Sequence, residues 1–503
     1  MKKIEVMDTT LRDGEQTPGV SFNSREKYEI ARKLFEVGVD RIEVASAHAV
    51  EEDKRAVRVI CKLAESIGKL ESIEVLGFVD KGSVDWIYDA GCRTVNLLAK
   101  GSKKHCEVQL GKSLKEHLKD IGGVVEYAKS KGLKVNVYLE DWSNGMIESR
   151  DYVMGLIKEL NQLDVKRIML PDTLGILSPE KTSRFLKEIK EKFPNLHFDF
   201  HAHNDYGLAT ANTMAAISMG IDGIHVTANG LGERAGNCSL YEIAVCAKDH
   251  LAVDLGIKEK SFYELSRLIE GSANIRIQDN CPIVGVNVHQ QTAGIHADGD
   301  KKGDLYKSPL KAERFGKRPQ YALGKQSGKA SILMNLKQLG ISNPDEAIVA
   351  GLTARVRELG EQKETVTSED LLALYWDEVG GPEKKRFEVL EIKPEIGLKG
   401  LKRCYVKARL NGQLCEASEK GDGGFDAFMN SLRKICKEIE LPRLIDYDPK
   451  IPPGGGTDAL VETAIEWQNK SKTFRTIATD TDQLISAVKA AEKMVNLVMM
   501  GFK

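Results

Sequence analysis

Ile4-Glu-Val-Met-Asp-Thr-Thr-Leu-Arg-Asp-Gly-Glu-Gln16 is the stretch on which the fold turns. Ile4–Thr9 reads as a short strand, and Arg12 and Asp13 follow its carboxyl end. An open, doubly wound sheet would place a glycine-rich GxGxxG turn after its first strand and gather its chemistry at one switch point. No such turn follows here. Working outward, β-branched runs recur at Arg41–Ala45, Ile73–Phe78, Thr94–Ala99, Val135–Leu139, Arg167–Leu170, His197–Phe200 and Gly223–Thr227. Their spacing leaves room for a helix and two loops each time. Helix starts are marked by Ser24-Arg-Glu-Lys27, a capping residue with a charged first turn, and by Ser178-Pro179, a cap with proline in the first helical position. Polar residues stand after nearly every strand: Ser46, Lys100, Glu140, Asp172 and Thr173, His201 and His203, then Asn229. Chemistry drawn from many strand ends belongs to a barrel, so the expectation for residues 1–275 is an α/β fold, a catalytic (β/α)8 TIM barrel.

The alternation stops after about residue 275. Residues 276–330 are loop-rich, with Ala297-Asp-Gly-Asp-Lys-Lys-Gly-Asp304 and Gly324-Lys-Gln-Ser-Gly-Lys329. Residues 331–384 read as a small helical subdomain and linker, with a capping box at Thr367-Ser-Glu-Asp370 and a Gly380-Gly-Pro stretch. Residues 385–503 change character again. Arg403–Leu410 and Gln413–Ser418 flank Asn411-Gly412, a strong hairpin signal. A helix near 426–439, strands at Leu460–Trp467 and Thr473–Ala478, and a helix near 481–498 complete an α+β module of two ββα repeats.

Composition narrows the function. Lys+Arg 73 against Asp+Glu 74 leaves a net charge of -1, which removes the electrostatic case for a nucleic-acid binder. No run approaches the ~18 apolar residues of a membrane helix, and Met1-Lys-Lys3 precedes no apolar stretch that would make a signal peptide. The 9 cysteines are scattered without a CxxC pair. These features point to a soluble, reduced, cytoplasmic protein with neither a nucleic-acid nor a membrane partner.

The sharpest local motif is His201-Ala-His203, in Phe198-Asp-Phe-His-Ala-His-Asn-Asp205. Residues i and i+2 of a strand face the same way, so both imidazoles can reach one ion. Asp13 supplies a hard oxygen from the end of the first strand. Two histidines and a carboxylate suit a divalent ion with open positions for a bidentate substrate. The plainer alternative is two polar residues hydrogen-bonded at a strand end. Arg12 is placed to stabilise an oxyanion or enolate, or else forms an ion pair that holds its loop. Glu140 lies beside Val137, Tyr138 and Leu139, which suits proton transfer by a carboxyl of raised pKa; a salt bridge is the other reading. Thr173 could donate to a substrate carboxylate or cap the next helix. His296, in Thr292-Ala-Gly-Ile-His296, sits in the loop-rich segment, where a lone histidine is ordinarily solvent-exposed.

Together, Asp8-Thr-Thr-Leu-Arg-Asp-Gly-Glu-Gln16, His201-Ala-His203-Asn-Asp205 and Gly230-Leu-Gly-Glu-Arg-Ala-Gly-Asn237 resemble the alpha-isopropylmalate, homocitrate and citramalate synthases. Thr292–His296, Ala322-Leu-Gly-Lys-Gln-Ser-Gly328 and Gly421-Asp-Gly-Gly-Phe-Asp-Ala427 extend the match in order along essentially the whole chain. The resemblance implies a Claisen condensation of acetyl-CoA with a 2-oxo acid, then thioester hydrolysis. It implies Asp13, His201 and His203 as ligands of a divalent metal ion (Mg, Mn, Co or Zn), with Asn237 as a further or water-mediated ligand. Glu140 and His296 become the base candidates, assisted by Tyr306. Arg12 would stabilise enolate and alkoxide, and Thr173 would bind the substrate carboxylate. A homodimer with shared active sites is implied, because the His296 segment of relatives reaches a neighbouring barrel.

Within that family, Leu76, Leu98 and Tyr138 would line the oxo-acid pocket. Their runs are most similar to members that convert pyruvate to (R)-citramalate, the first step of the pyruvate route to isoleucine. A bulky apolar wall should exclude larger acids, since one methylene is worth about 1–3 kcal/mol in such a pocket. The alternative is 2-isopropylmalate synthesis from 2-oxoisovalerate with leucine feedback. The C-terminal module resembles an end-product-binding regulatory domain, implying isoleucine as effector. Phe425, Asp426, Leu444, Tyr447, Ile451 and Thr457 are then the pocket candidates; packing in the hairpin core is the other reading for the apolar ones. A lyase of the same barrel group and a non-catalytic amino-acid sensor are the remaining rivals.

Overall fold

The computed structural model describes residues 3–500 apart from 48–49, 292–302, 304, 306–307, 318–319, 340, 362–365, 380–385, 398–399, 401, 452–458 and 471. His296, Tyr306 and Thr457 lie outside the described residues. The chain divides into two compact units, residues 1–288 with 310–318, and residues 289–309 with 319–503.

The first unit is the expected barrel. Strands β1 (Glu5–Asp8), β2 (Arg41–Ser46), β3 (Ile73–Gly77), β4 (Thr94–Lys100), β5 (Lys134–Glu140), β6 (Arg167–Asp172), β7 (Phe198–Ala202) and β8 (Gly223–Val226) close in chain order. β1 pairs in parallel with both β2 and β8. Between and after them run α1 (Ser24–Val37), α2 (Glu51–Ser66), α3 (Lys81–Asp89), α4 (Leu114–Ser130), α5 (Trp142–Glu148), α6 (Arg150–Leu160), α7 (Pro179–Lys192), α8 (Ala209–Ser218), α9 (Leu240–Leu251) and α10 (Phe262–Ala273).

Capping chemistry sets several of these helix starts. Ser178 caps α7 through Lys181 N, with Pro179 in the first turn, as the sequence suggests. For α1 the cap lies one residue earlier than expected. Asn23 Oδ1 accepts from Arg25 N and Glu26 N at 3.0 Å each, and Glu26 returns a bond to Asn23 N at 2.9 Å. Asn23 keeps an extended ψ of 167°, whereas Ser24 already belongs to the helix, so only Asn23 can bridge coil and helix.

The two faces of the strands differ. Val6, Val44, Val75, Val137, Leu170 and Phe200 belong to one continuous apolar layer with the surrounding helices. Arg41, Glu43, Glu74, Asn96, Asn136, Asp199 and His225 are also buried, and they bond to one another across the barrel. Residues 310–318 return to this unit: Phe315 is buried near Phe262, and Arg314 Nη1 donates to Asp249 Oδ2 at 2.7 Å.

The second unit begins with three helices, α11 (Lys329–Gln338), α12 (Glu346–Glu361) and α13 (Ser368–Glu378). Thr367 and Asp370 form the expected capping box. Two three-stranded antiparallel sheets follow, each ending in a helix. β9 (Phe387–Glu395), β10 (Lys402–Leu410) and β11 (Gln413–Gly421) precede α14 (Gly424–Ile435); β12 (Arg443–Lys450), β13 (Val461–Asn469) and β14 (Lys472–Asp480) precede α15 (Gln483–Met499). Asn411 and Gly412, with φ of 48° and 83°, turn the β10–β11 hairpin as expected. Each repeat carries one strand more than the two anticipated. β9 and β12 are charge-rich edge strands, each holding a proline (Pro394 and Pro449), which conceals them from a pattern search for buried strands. Among the described residues, no helix is long and apolar enough to cross a membrane. All nine cysteines are free.

Candidate active site

At the carboxyl end of β1 the chain turns tightly. Arg12, Asp13 and Gly14 all donate their N–H groups to Thr9 O, at 3.1, 2.8 and 3.1 Å. This fixes Arg12 and Asp13 over the barrel mouth. His201 and His203 straddle buried Ala202 at the end of β7. Their Nε2 atoms lie 3.3 Å apart, and Asp13 Oδ2 stands 3.1 Å from His201 Nε2 and 4.0 Å from His203 Nε2. All three residues are buried, and their ligand atoms fall within 4.8 Å of one another.

Several of these polar atoms lack protein partners. Asp13 Oδ1, His201 Nδ1, His203 Nδ1 and Asn237 Oδ1 are buried without a hydrogen bond. Such groups cost free energy unless something satisfies them. Asn237 reaches the cluster through backbone pairing with His203, and its Nδ2 donates to Leu231 O at 2.9 Å. Gly232, with φ of 155°, makes room for it, since a Cβ there would stand 2.2 Å from Asn237 Nδ2. Burial alone would raise the Asp13 carboxyl, but the Arg12 guanidinium, with His201, holds it well below the usual range. Burial and the neighbouring His201 lower His203 to about 4, so its imidazole is neutral at pH 7. A carboxylate, neutral imidazole and open lone pairs at this spacing fit a divalent cation.

Arg12 is nearly buried. Its Nε donates to Glu43 Oε2 at 2.6 Å, its Nη1 lies 3.3 Å from Asp13 Oδ2, and its Nη2 donates to Tyr138 OH at 3.4 Å. Burial works against the charge, and the Glu43 carboxylate more than restores it. Glu43 also accepts from Asn96 Nδ2 at 2.7 Å. Tyr138 lies edge-on to His201, with centroids 6.3 Å apart, and so links the ion cluster to a separate apolar group. That group is Met7, Leu76, Tyr138 and Met169, with Leu98 packed against it. The three residues picked from sequence thus meet. Met7 and Met169 were missed, although Leu98, Tyr138 and Met169 stand in register across β4, β5 and β6.

Glu140 ends β5 in an ion pair with Lys100, in register beside it on β4. An ammonium rather than an apolar wall meets its carboxylate, so the salt-bridge reading holds for its immediate contact. Thr173 Oγ1 accepts from Asp141 N at 2.9 Å and keeps its own proton to donate. It does not cap the next helix, a place taken by Ser178.

In the second unit, Phe425 and Tyr447 bring the two repeats together with centroids 5.1 Å apart. Leu444 packs against the same core. Asp426 Oδ2 accepts from Asp422 N at 3.0 Å at the start of α14, and Ile451 is 60% exposed. Glu43, Asp199 and His225 also bear on the site and were not singled out from sequence. The available signal was a polar residue at alternate positions within strands that a parallel barrel normally keeps apolar.

Residues 3–269 match the HMGL-like family, and residues 365–499 match the LeuA allosteric (dimerisation) domain. The chain is 34% identical over 500 residues to an (R)-citramalate synthase of Methanocaldococcus jannaschii, covering 99% of each chain. It is 33% identical over 466 residues to a putative (R)-citramalate synthase of Methanopyrus kandleri, covering 92% of this chain and 90% of that one. A probable 2-isopropylmalate synthase of the same organism is 35% identical over 501 residues, covering 98% of each.

Proposed function

This chain belongs to the HMGL-like family and carries a LeuA allosteric (dimerisation) domain, and from that premise we propose that it condenses acetyl-CoA with pyruvate to give (R)-citramalate and CoA. Asp13, His201 and His203 would hold a divalent ion (Mg, Mn, Co or Zn), with Asn237 beside them. Bound there, the ion would supply Lewis acidity to the 2-oxo acid. Arg12, kept charged and aimed by Glu43, stabilises negative charge as the enolate forms and the keto oxygen becomes an alkoxide. Thr173 offers its hydroxyl proton to the substrate carboxylate. Glu140 and His296, with Tyr306, remove a proton from the acetyl methyl group; Lys100 must release Glu140 for that step. The methyl carbon then bonds to C2 of pyruvate, the alkoxide takes a proton, and water cleaves the thioester to release CoA.

The observation that carries the choice of pyruvate is the apolar cluster of Met7, Leu76, Tyr138 and Met169 with Leu98, joined through Tyr138 to the ion cluster. Five bulky side chains clustered there favour an oxo acid whose substituent is as small as a methyl group. The similarity to a 2-isopropylmalate synthase keeps 2-oxoisovalerate as the second reading. We also infer isoleucine as effector of the second unit, at Phe425, Asp426, Leu444, Tyr447, Ile451 and Thr457, in a cytoplasmic homodimer with shared active sites. Free CoA release, measured with pyruvate, 2-oxoisovalerate and 2-oxoglutarate in separate reactions, tests the assignment. Release with pyruvate that isoleucine suppresses supports it; preference for 2-oxoisovalerate replaces pyruvate as the substrate and keeps the site.

A further inference from the structure

Tyr138 carries a polar tip into the barrel interior, where two acceptors, His225 and Glu43, compete for its one hydroxyl proton and Arg12 donates to its oxygen. Its OH lies 3.2 Å from His225 Nδ1, 3.3 Å from Glu43 Oε2 and 3.4 Å from Arg12 Nη2. His225 is fully buried, and its Nε2 lies 3.1 Å from Asp199 Oδ2. Asp199 is itself held by Arg41 Nη2 at 2.5 Å and by His197 Nε2, 2.9 Å from its Oδ1. A carboxylate paired with arginine can only accept, so a neutral His225 spends its single N–H on Asp199. Its Nδ1 lone pair is then free to accept the Tyr138 hydroxyl. The phenol oxygen in turn accepts from Arg12 Nη2, and Glu43 is left to Arg12 Nε and Asn96. This allocation gives each group a partner of the right kind.

We propose that Tyr138, His225 and Asp199 form a buried relay in which Asp199 sets the His225 tautomer and His225 fixes the Tyr138 hydroxyl. His225 and Asp199 are positioning residues: they touch no substrate, but they hold the tyrosine that walls the oxo-acid pocket and abuts Arg12. The logic is that of a histidine whose tautomer is set by a buried aspartate, applied to orientation rather than to a nucleophile. The proposal rests on the reading of Tyr138 as a pocket wall.

Two substitutions separate the halves of the relay. In His225→Asn, the amide oxygen takes the place of Nδ1 and can still accept from Tyr138, while the bond to Asp199 is lost. In His225→Gln, the longer amide reaches the Nε2 position and can donate to Asp199, while Tyr138 loses its acceptor. Both remove a buried ring, so a purely structural role lowers Tm in both and treats the oxo acid alike. The relay predicts a pyruvate KM raised ~10-fold in His225→Gln, within ~3-fold of wild type in His225→Asn, and an acetyl-CoA KM unchanged in either. In a Tyr138→Phe background, His225→Gln adds no further rise. Equal pyruvate KM values in the two single variants, or effects that multiply in the double variant, overturn the relay. Wild-type enzyme runs in the same assay. If it turns over 2-oxoisovalerate instead of pyruvate, the functional reading fails, and the same comparison tests the relay with that acid.

Discussion

Leu76→Ala should widen the substrate range in a calculable way. Leu76 is 6% exposed on β3, packed with Met7, Tyr138 and Met169, and its carbonyl accepts from Ala47 N at 2.7 Å, which fixes the backbone. The substitution removes three carbons from the wall, and 2-oxoisovalerate carries two more than pyruvate. At about 1–3 kcal/mol per methylene, relative preference should move toward 2-oxoisovalerate by about 2–6 kcal/mol, on the order of 30- to 25,000-fold in the ratio of kcat/KM values. Pyruvate itself should lose about 1 kcal/mol, roughly fivefold, from missing contacts with its methyl group. The stability cost should sit near the low end of the ~2–5 kcal/mol for burying a Leu→Ala cavity, because the site borders a space built to be filled. CoA release with each acid gives the ratio, and a thermal melt confirms folding. A folded variant whose ratio is unchanged refutes the assignment of this cluster as the oxo-acid pocket.

Three further outcomes are expected. Burial raises Asp8 to about 7, so the folded chain binds a proton there that the unfolded chain has already lost; its contribution is fully present below about pH 4 and disappears as pH rises through 7. Asp8→Asn removes that dependence, so chemical denaturation should show the variant gaining on wild type by up to about 4 kcal/mol between pH 4 and 7, and a pH-independent difference contradicts this. Asp13→Asn should weaken Mn2+ binding by at least ~100-fold in calorimetry while the circular dichroism of the barrel is kept, and undiminished binding excludes Asp13 as a ligand. Ending the chain at about residue 385 should abolish isoleucine inhibition and also lower activity, and inhibition that survives places the effector site elsewhere.

Much of this structure was legible because most barrel strands are β-branched runs and nearly every one is followed by a polar residue where a barrel exposes its chemistry. Arg12, Asp13, His201 and His203 were found by strand-end position and two-residue spacing, properties that local sequence carries. Met7 and Met169 were not, because a pocket wall depends on which residues of neighbouring strands share a level. Leu98, Tyr138 and Met169 are level only through the stagger of a closed barrel, a long-range property. His225 and Glu43 looked like isolated polar residues inside strands; their meaning comes from partners on other strands, Asp199 and Arg12. Lys100 stood out only as a polar residue after a strand, and its register beside Glu140, which pairs it with that carboxylate, is likewise a property of neighbouring strands. β9 and β12 escaped for the opposite reason, since edge strands dilute their apolar pattern with charge and proline.

The proposed reaction forms a carbon–carbon bond between the acetyl methyl group and C2 of pyruvate. Incubating the protein with acetyl-CoA labelled with 13C at the methyl carbon, pyruvate and a divalent metal, and following the label by NMR, tests it most directly. The label should move into the methylene group of citramalate, next to a quaternary carbon, as free CoA appears. Label recovered only as acetate would show a thioester hydrolase that makes no such bond, and would contradict the account.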